Sequence, residues 1–365
     1  MRPGALMLVL AALGAPVPAL SQGLFRKADP LEVTITTGLG ALIRDRDSTD
    51  RVTHGAELSY SDSSGKPVKL AITLRTRGHF RRQARNCEFP PLKVEMGKPA
   101  AARTVFEGNR TLKLVTNCRP SNADYEQYIL QEYALYRIYQ ALTPWSYRTR
   151  LAHIAYRDSA GKAKPVDSWA FFVEDDGDLA RRMGAKKFET TGAMFEHLEP
   201  TEFGYLQLFE YMSGNTDWSV SGLHNVTLMR DSIGLIHPVP YDFDWTGAVN
   251  ARYSFPDKSL PISSVRDRLW RGDCRTADAM KTVMVPKEMP KLPVEATVIV
   301  APEVHLPHGG QLGDPMSPIS SLLSQGPGSG GGFGVGCCGG VGPSKGPGFA
   351  TGPRGIYPAG VQRES

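Results

Sequence analysis

At 365 residues the chain is long enough to bury one large core or two smaller ones. Charged residues make up 22% and apolar residues 41%, an ordinary globular composition. The net charge of +5 is small and dispersed, so it excludes any argument for nucleic-acid binding and only slightly favours anionic small molecules.

Met1-Arg2 is followed by the apolar run "ALMLVLAALGAPVPAL", with small residues at Ala19 and Ser21. A basic start, an apolar run of this length and small residues after it read as a secretory signal over 1–21, cleaved near Gln22. The alternative is an uncleaved anchor, which Pro16, Pro18 and the short run disfavour. No Cys follows the run to accept a lipid, and no other stretch could span a bilayer. The chain is therefore expected to be exported (periplasmic, cell-surface or secreted), without a stable membrane span once the signal is removed.

Residues 22–283 read as folded. "LEVTITT", "AELSYSD", "VKLAITLRTRG", "PPLKVEM" and "TLKLVTN" alternate apolar and polar residues near period two, between Gly, Pro and Asn. "NADYEQYILQEYALYRIYQAL" then repeats Tyr125, Ile129, Tyr133, Tyr136 and Tyr139 at helical spacing, with Asn122 or Asp124 to cap its start. "RLAHIAYRD" and "VDSWAFFVED" read as a hairpin. "GDLARRMGA" and "EFGYLQLFEYMSG" read as helices, the second stopped by Gly214. "NVTLMR" and "GLIHPVPYDF" read as strands, and a short helix is expected near "SVRDRLWRG". Cys87 and Cys118 each flank a strand, so a disulfide between them is possible if those strands are neighbours. Cys274 is then left over, and Cys337 and Cys338 fall in the tail. Residues 284–308 alternate Pro with short apolar stretches, and 309–365 are rich in Gly, Pro and Ser. That tail cannot bury enough apolar area to offset its ordering entropy, so it should be flexible.

Chemistry concentrates in "GNTDWSVSGLHNVTLMRDSIGLIHPVPYDFDWTGAVN", residues 214–250. Asp217, His224, Asn225, Asp242 and Asp244 stand there at the ends of strands, beside Gly and Trp. Phosphoryl transfer needs a carboxylate to accept a hydroxyl proton, oxygen ligands for magnesium, and cations on the phosphates. Asp217 suits the first task, and Asn225 with Asp242 the second, with Asp244 assisting. On a strand, Asp242 and Asp244 would share a face while Phe243 points into the core.

This stretch resembles the CotH family of secreted or spore-coat kinases, in which a "DW…N" loop precedes a "DxD" strand end. "TLRTRGHFRR", "PPLKVEM", "NRTLKLVTN" with the Tyr-rich helix, and "WAFFVEDDGDLARRMG" extend the resemblance over about residues 31–272. The resemblance implies an α+β, two-lobed protein-kinase-like fold, with a β-rich lobe over about 31–165 and a shortened helical lobe over about 166–283. It implies ATP and Mg2+ as cofactors, Asp217 as catalytic acid/base, and Asn225, Asp242 and Asp244 on the metal. Lys93 or Lys113 would meet the nucleotide phosphates and pair with Glu132. Glu174 would lie by the adenine, and Arg77 and Gly78 would cover the phosphates. Asp217 and Asn225 stand eight residues apart, against five in kinase catalytic loops, so the loop between them must bulge. The tail resembles the periplasmic linker of TonB-type energy transducers.

Plainer readings stand beside these. Asp217 could serve a turn after Gly214, and Asp242 and Asp244 an Asx-bonded strand end. Lys93, Lys113 and Glu132, each taken singly, read as a solvated face. His224 reads as a structural hydrogen bonder, since no second His or Cys stands at ligand spacing. "HFRRQARN" reads equally as a phosphate attractor or a solvated turn. The function expected is an exported kinase-like protein moving the ATP γ-phosphoryl group to a protein hydroxyl. The alternative is a non-catalytic binding protein or pseudokinase with a TonB-like tether.

Overall fold

The computed structural model describes residues 23–46 and 52–273. The signal expected at 1–21, the tail expected at 284–365 and Cys274, Cys337 and Cys338 lie outside these residues.

Seven strands form a closed barrel: β1 Leu31–Thr37, β2 His54–Ser61, β3 Pro67–Thr76, β4 Leu92–Met96, β5 Thr111–Thr116, β6 Thr149–Asp158 and β7 Val166–Glu174. Their spatial order is β1-β2-β3-β4-β5-β7-β6. Closure comes from the parallel pairing of β1 with β6, from Leu31 opposite Ala152 to Thr37 opposite Asp158. All the other neighbouring strands run antiparallel. The period-two alternation turns Ile35, Leu58, Leu74, Val94, Leu114, Ile154 and Phe172 into one interior cluster. Fully burying each such side chain stabilises by about 1.5–3 kcal/mol, and closure leaves no exposed sheet edge.

The helices are α1 Leu39–Arg44, α2 Lys98–Ala101, α3 Glu126–Leu142, α4 Asp176–Arg182 and α5 Pro200–Ser213. A second sheet of three antiparallel strands has the order β10-β9-β8, from β8 Lys186–Phe188, β9 Val226–Arg230 and β10 Ile236–Pro240. The tyrosine stripe of α3 behaves as core. Tyr128, Ile129, Leu135, Tyr136 and Tyr139 pack with Val115, Phe171 and Val173 from β5 and β7, and with Phe209 and Phe243. Asn122 caps the turn that leads into α3 by accepting from the Asp124 amide at 3.0 Å. Gly214 ends α5 at φ 70°, a left-handed conformation in which a Cβ would also press on Arg268.

The expected two-lobed kinase-like fold is not what this chain builds. A closed mixed barrel with a few helices replaces an open β-lobe and a helical lobe. The expected boundary near 165 falls inside one hairpin, because β6 and β7 pair from Thr149–Val173 to Tyr156–Val166. Among the described residues, only α4 and α5 are α-helical after β7. The short helix expected near Ser264–Gly272 is a set of turns, in which Asp267 accepts from the amides of Ser263 and Ser264. Cys87 and Cys118 are joined by a disulfide. Among the described residues, no helix is long and apolar enough to cross a membrane.

Candidate functional site

Three carboxylates meet where α3 passes the turn after β10. Ligand atoms of Glu132, Asp242 and Asp244 all lie within 4.8 Å of one another. The two aspartates do not share a strand face. β10 ends at Pro240, and Asp242 takes a left-handed conformation, φ 65°, ahead of a 3-10 turn over Phe243–Trp245. Backbone curvature rather than strand pleat therefore brings them together. Phe243 is buried against Tyr136 and Phe209, as expected of it. The Tyr136 hydroxyl accepts from the Asp242 amide at 2.8 Å and so holds the turn against α3.

Glu132 and Asp244 are buried and Asp242 is half-buried, and the cluster holds one arginine. Arg81 Nη1 lies 3.5 Å from Glu132 Oε2 and 3.3 Å from Asp244 Oδ2. The Tyr253 hydroxyl donates to Asp244 Oδ2 at 2.9 Å. Glu132 is fully buried, and its Oε1 has no hydrogen-bond partner. Burial, and then the neighbouring acids, push Glu132 well above the usual carboxylate range although Arg81 opposes this. Burial likewise raises Asp244, to about 6. Glu132 thus pairs with an arginine instead of the expected lysine, and it does not stand on a solvated face. Within "HFRRQARN", Arg81 and Arg82 are buried, while His79, Gln83, Ala84 and Arg85 are exposed, so the segment is solvated only in part.

The donor set fits a hard divalent cation. It is all oxygen, one buried oxygen is unpartnered, and three carboxylates less one guanidinium leave two negative charges when all are ionised. Glu132, Asp242 and Asp244 would hold such an ion. Asn225, also expected on the metal, lies outside this carboxylate cluster: its Nδ2 donates to Asp217 O at 2.7 Å and to Asp217 Oδ2 at 3.1 Å, bonds that leave its Oδ1, the atom a metal would take, unused.

Asp217 follows the cap of α5, its amide donating to Asn215 Oδ1 at 2.9 Å. Its Oδ1 lies 2.9 Å from His224 Nε2. The eight-residue spacing to Asn225 is taken up by a small hairpin, in which Ser219 and His224 exchange backbone bonds of 2.9 and 3.0 Å. Leu223 and Asn225 both adopt positive φ there. The Asp217 side chain remains 38% exposed, so a second molecule can reach it.

Beside the acids, a cavity of about 270 Å³ opens between the barrel and the second sheet. Arg77, Lys113 and Lys187 line it with Asp176, Phe188 and Tyr241. Lys113 Nζ lies 2.5 Å from Asp176 Oδ1, with the Tyr147 and Tyr241 rings at 4.5 and 5.2 Å. Burial lowers the Lys113 pKa despite this partner. Lys187 reaches Asp176 Oδ2 at 3.0 Å. Against the cost of burial, Lys113 and then Lys187 hold Asp176 well below the usual carboxylate range. Among the described residues, the Arg77 side chain makes no hydrogen bond or ion pair, although it lies close enough to affect both Lys113 and Glu132 electrostatically. Glu189, which pairs with Lys187 at 2.9 Å, lines the cavity too, so three cations face two carboxylates there, and the unpaired guanidinium is the charge left to meet an anion. A larger groove of about 590 Å³ on the outside of β3–β5 mixes Arg110 and Arg181 with Glu95, Asp175 and Asp178, so it has no comparable cationic bias.

The remaining expected residues lie apart from this cavity. Lys93 pairs with Glu95 at 2.6 Å on the outer face of β4. Glu174 is fully buried, with Arg182 Nε and Nη2 bound to its two oxygens at 3.0 and 2.9 Å. Its carboxylate ties the end of β7 to Arg182 at the end of α4 and also accepts from the Arg148 amide, which leaves no free face to offer a base. Gly78 holds φ 80° immediately after Arg77, a conformation that favours glycine. Sequence reasoning missed Arg81, Tyr253, Asp176 and Lys187. The "EDDGD" run carried a signal, since Asp175 alone caps α4 by accepting from Gly177 N at 3.0 Å, which leaves Asp176 for other work.

No family model matches the chain, and no curated protein matches it either. What it does must be inferred from the site.

Proposed function

We propose that this chain is an exported, divalent-cation-dependent phosphotransferase acting on a nucleoside triphosphate and a hydroxyl acceptor on a protein. One observation carries the reading: Glu132 and Asp244, both buried, and the half-buried Asp242 form a carboxylate cluster that follows Tyr241, a wall of the cavity that holds an unpaired arginine and two lysines. Polyphosphate bound to metal presents the complementary pair of charges. The reading rests on these side chains and not on the architecture, since one chemistry recurs on unrelated folds. The resemblance of residues 214–250 to CotH proteins supports it through the same loop residues.

Arg77, Lys113 and Lys187 would grip the phosphates by charge-assisted bonds. A bound divalent ion would neutralise charge developing on the phosphoryl oxygens. Asp217 would take the proton of the acceptor hydroxyl as its oxygen bonds to the γ-phosphorus and the bond to the leaving nucleoside diphosphate breaks. Both Asp217 oxygens already accept one hydrogen bond, but a carboxylate has about four acceptor sites. His224 and Asn225 fix its orientation and leave room for a substrate proton. Export follows from the signal-like residues 1–21.

The full chain, incubated with γ-labelled ATP, magnesium and secreted proteins, is expected to transfer label, and Asp217→Asn and Asp242→Asn to abolish transfer. Equal transfer by parent and variants would reject the assignment. A magnesium-dependent thermal shift with ATP but no transfer would instead identify a non-catalytic binding protein.

A further inference from the structure

Residues 77–91 connect β3 to β4 as a strap that reaches away from the barrel. Its base is closed by the Arg77 amide donating to Pro91 O at 2.9 Å. At its far end Phe80 sets its ring against Trp245, edge-on, with centroids 5.2 Å apart. Arg81 follows and enters the acid cluster with only 7% of its surface exposed. The outgoing half of the strap is pinned to the start of the segment that carries α3. The amides of Glu88 and Phe89 donate to Cys118 O, and Cys87 is covalently bound to Cys118. Arg46 adds bonds to Arg82 O and Glu88 O at 2.7 and 2.6 Å.

The disulfide therefore ties the strap carrying Arg81 to the chain segment that leads directly into the helix carrying Glu132. An arginine loses rotamer entropy when held in one place, and a long loop must also be ordered to hold it. A covalent tie to the neighbouring strand end removes much of that freedom before any ligand arrives. Arg81 itself orients two of the three carboxylates, the role that an outer group plays behind metal ligands.

We propose that Arg81 is a positioning residue for the divalent-cation seat, and that the Cys87–Cys118 disulfide holds it in register between Glu132 and Asp244. This rests on reading Glu132, Asp242 and Asp244 as that seat. Two effects of Arg81 oppose each other, and their sign separates them. As a nearby positive charge it repels a cation, so charge alone predicts tighter binding once it is removed. As the group that orients Glu132 and Asp244 it predicts weaker binding, and outer groups of this kind are typically worth 10–100-fold in metal affinity.

Mn2+ titrated into the full chain, with free ion followed by its electron paramagnetic resonance signal, tests this. The expected result is weaker binding by about tenfold or more in Arg81→Gln, with partial recovery in Arg81→Lys. The double variant Cys87→Ser, Cys118→Ser should weaken binding similarly, and combining it with Arg81→Gln should add little further loss, since both act through one contact. Thermal unfolding identifies any variant that fails to fold, and the Gln and Lys pair at Arg81 decides the matter without the cysteine variants. Unchanged or tighter binding in Arg81→Gln, or fully additive losses, would overturn the proposal. If the unaltered chain binds no Mn2+, the carboxylate seat falls and takes this inference with it. If it binds while Arg81→Gln matches it, only the inference falls.

Discussion

His224 Nε2 stands 2.9 Å from Asp217 Oδ1, across a hairpin turn closed by Ser219 and His224 themselves. The carboxylate stabilises the imidazolium by this hydrogen bond, and that raises the His224 pKa above its ordinary 6.5 although burial works against it. Asp217→Asn should therefore let His224 lose its proton at lower pH than in the parent. A ring-proton NMR titration of both proteins measures the two midpoints. Coincident midpoints would mean that the contact is not populated in solution.

Glu210 supplies a pH signature for stability. It is buried in α5, and neither carboxyl oxygen is in a well-formed hydrogen bond, although the Asn215 amide lies near enough to offset burial in part. Burial raises its pKa from 4.5 to about 8. The folded state then binds a proton that the unfolded state has released. This contribution is fully present below about pH 4.5 and is lost as pH rises toward 8, by an amount on the order of a few kcal/mol. Glu210→Gln should flatten that decline and be the more stable protein at pH 8.5, with little difference at pH 4.5. Urea unfolding at the two pH values is the measurement, and parallel stability curves would refute it.

Glu174→Gln should cost about 3 kcal/mol in denaturant unfolding, since it leaves the largely covered Arg182 without its counter-charge. ATP affinity of the folded fraction should stay the same. The opposite pattern, intact stability with weakened ATP binding, would show that Glu174 reads the base and that its brace is minor.

Lys113 and Lys93 face each other across β4 and β5, yet only Lys113 lines the cavity. Calorimetric titration with inorganic triphosphate should show at least a tenfold loss for Lys113→Met, the value of one charge-assisted bond. Lys93→Met should stay within about twofold of the parent, because an exposed pair with Glu95 contributes little. Equal losses from the two would place the anion outside the cleft.

Much of this could be seen in the residues alone, where the cause was local. Alternation in "LEVTITT" and "VKLAITLRT" marked β1 and β3 because each strand buries one face. The tyrosine spacing marked α3, and Gly214 marked the end of α5. β8 escaped notice because three residues carry no period, and the helix expected near 264–272 failed because Asp267 draws the backbone into turns. The acids at 242 and 244 were recognised as a pair, but by a strand geometry that the left-handed Asp242 replaces.

The sequence by itself determined the strands, the long helix and the loop with its acids, because side-chain period and turn chemistry act over a few residues. Tertiary structure alone decided that β1 closes on β6, that Glu132 meets Arg81 and not a lysine, and that Arg77 is left unpaired in the cavity. Those choices join residues far apart in the chain. Their energies come from desolvating charges together, and that cost exists only once the barrel and the second sheet have closed around them.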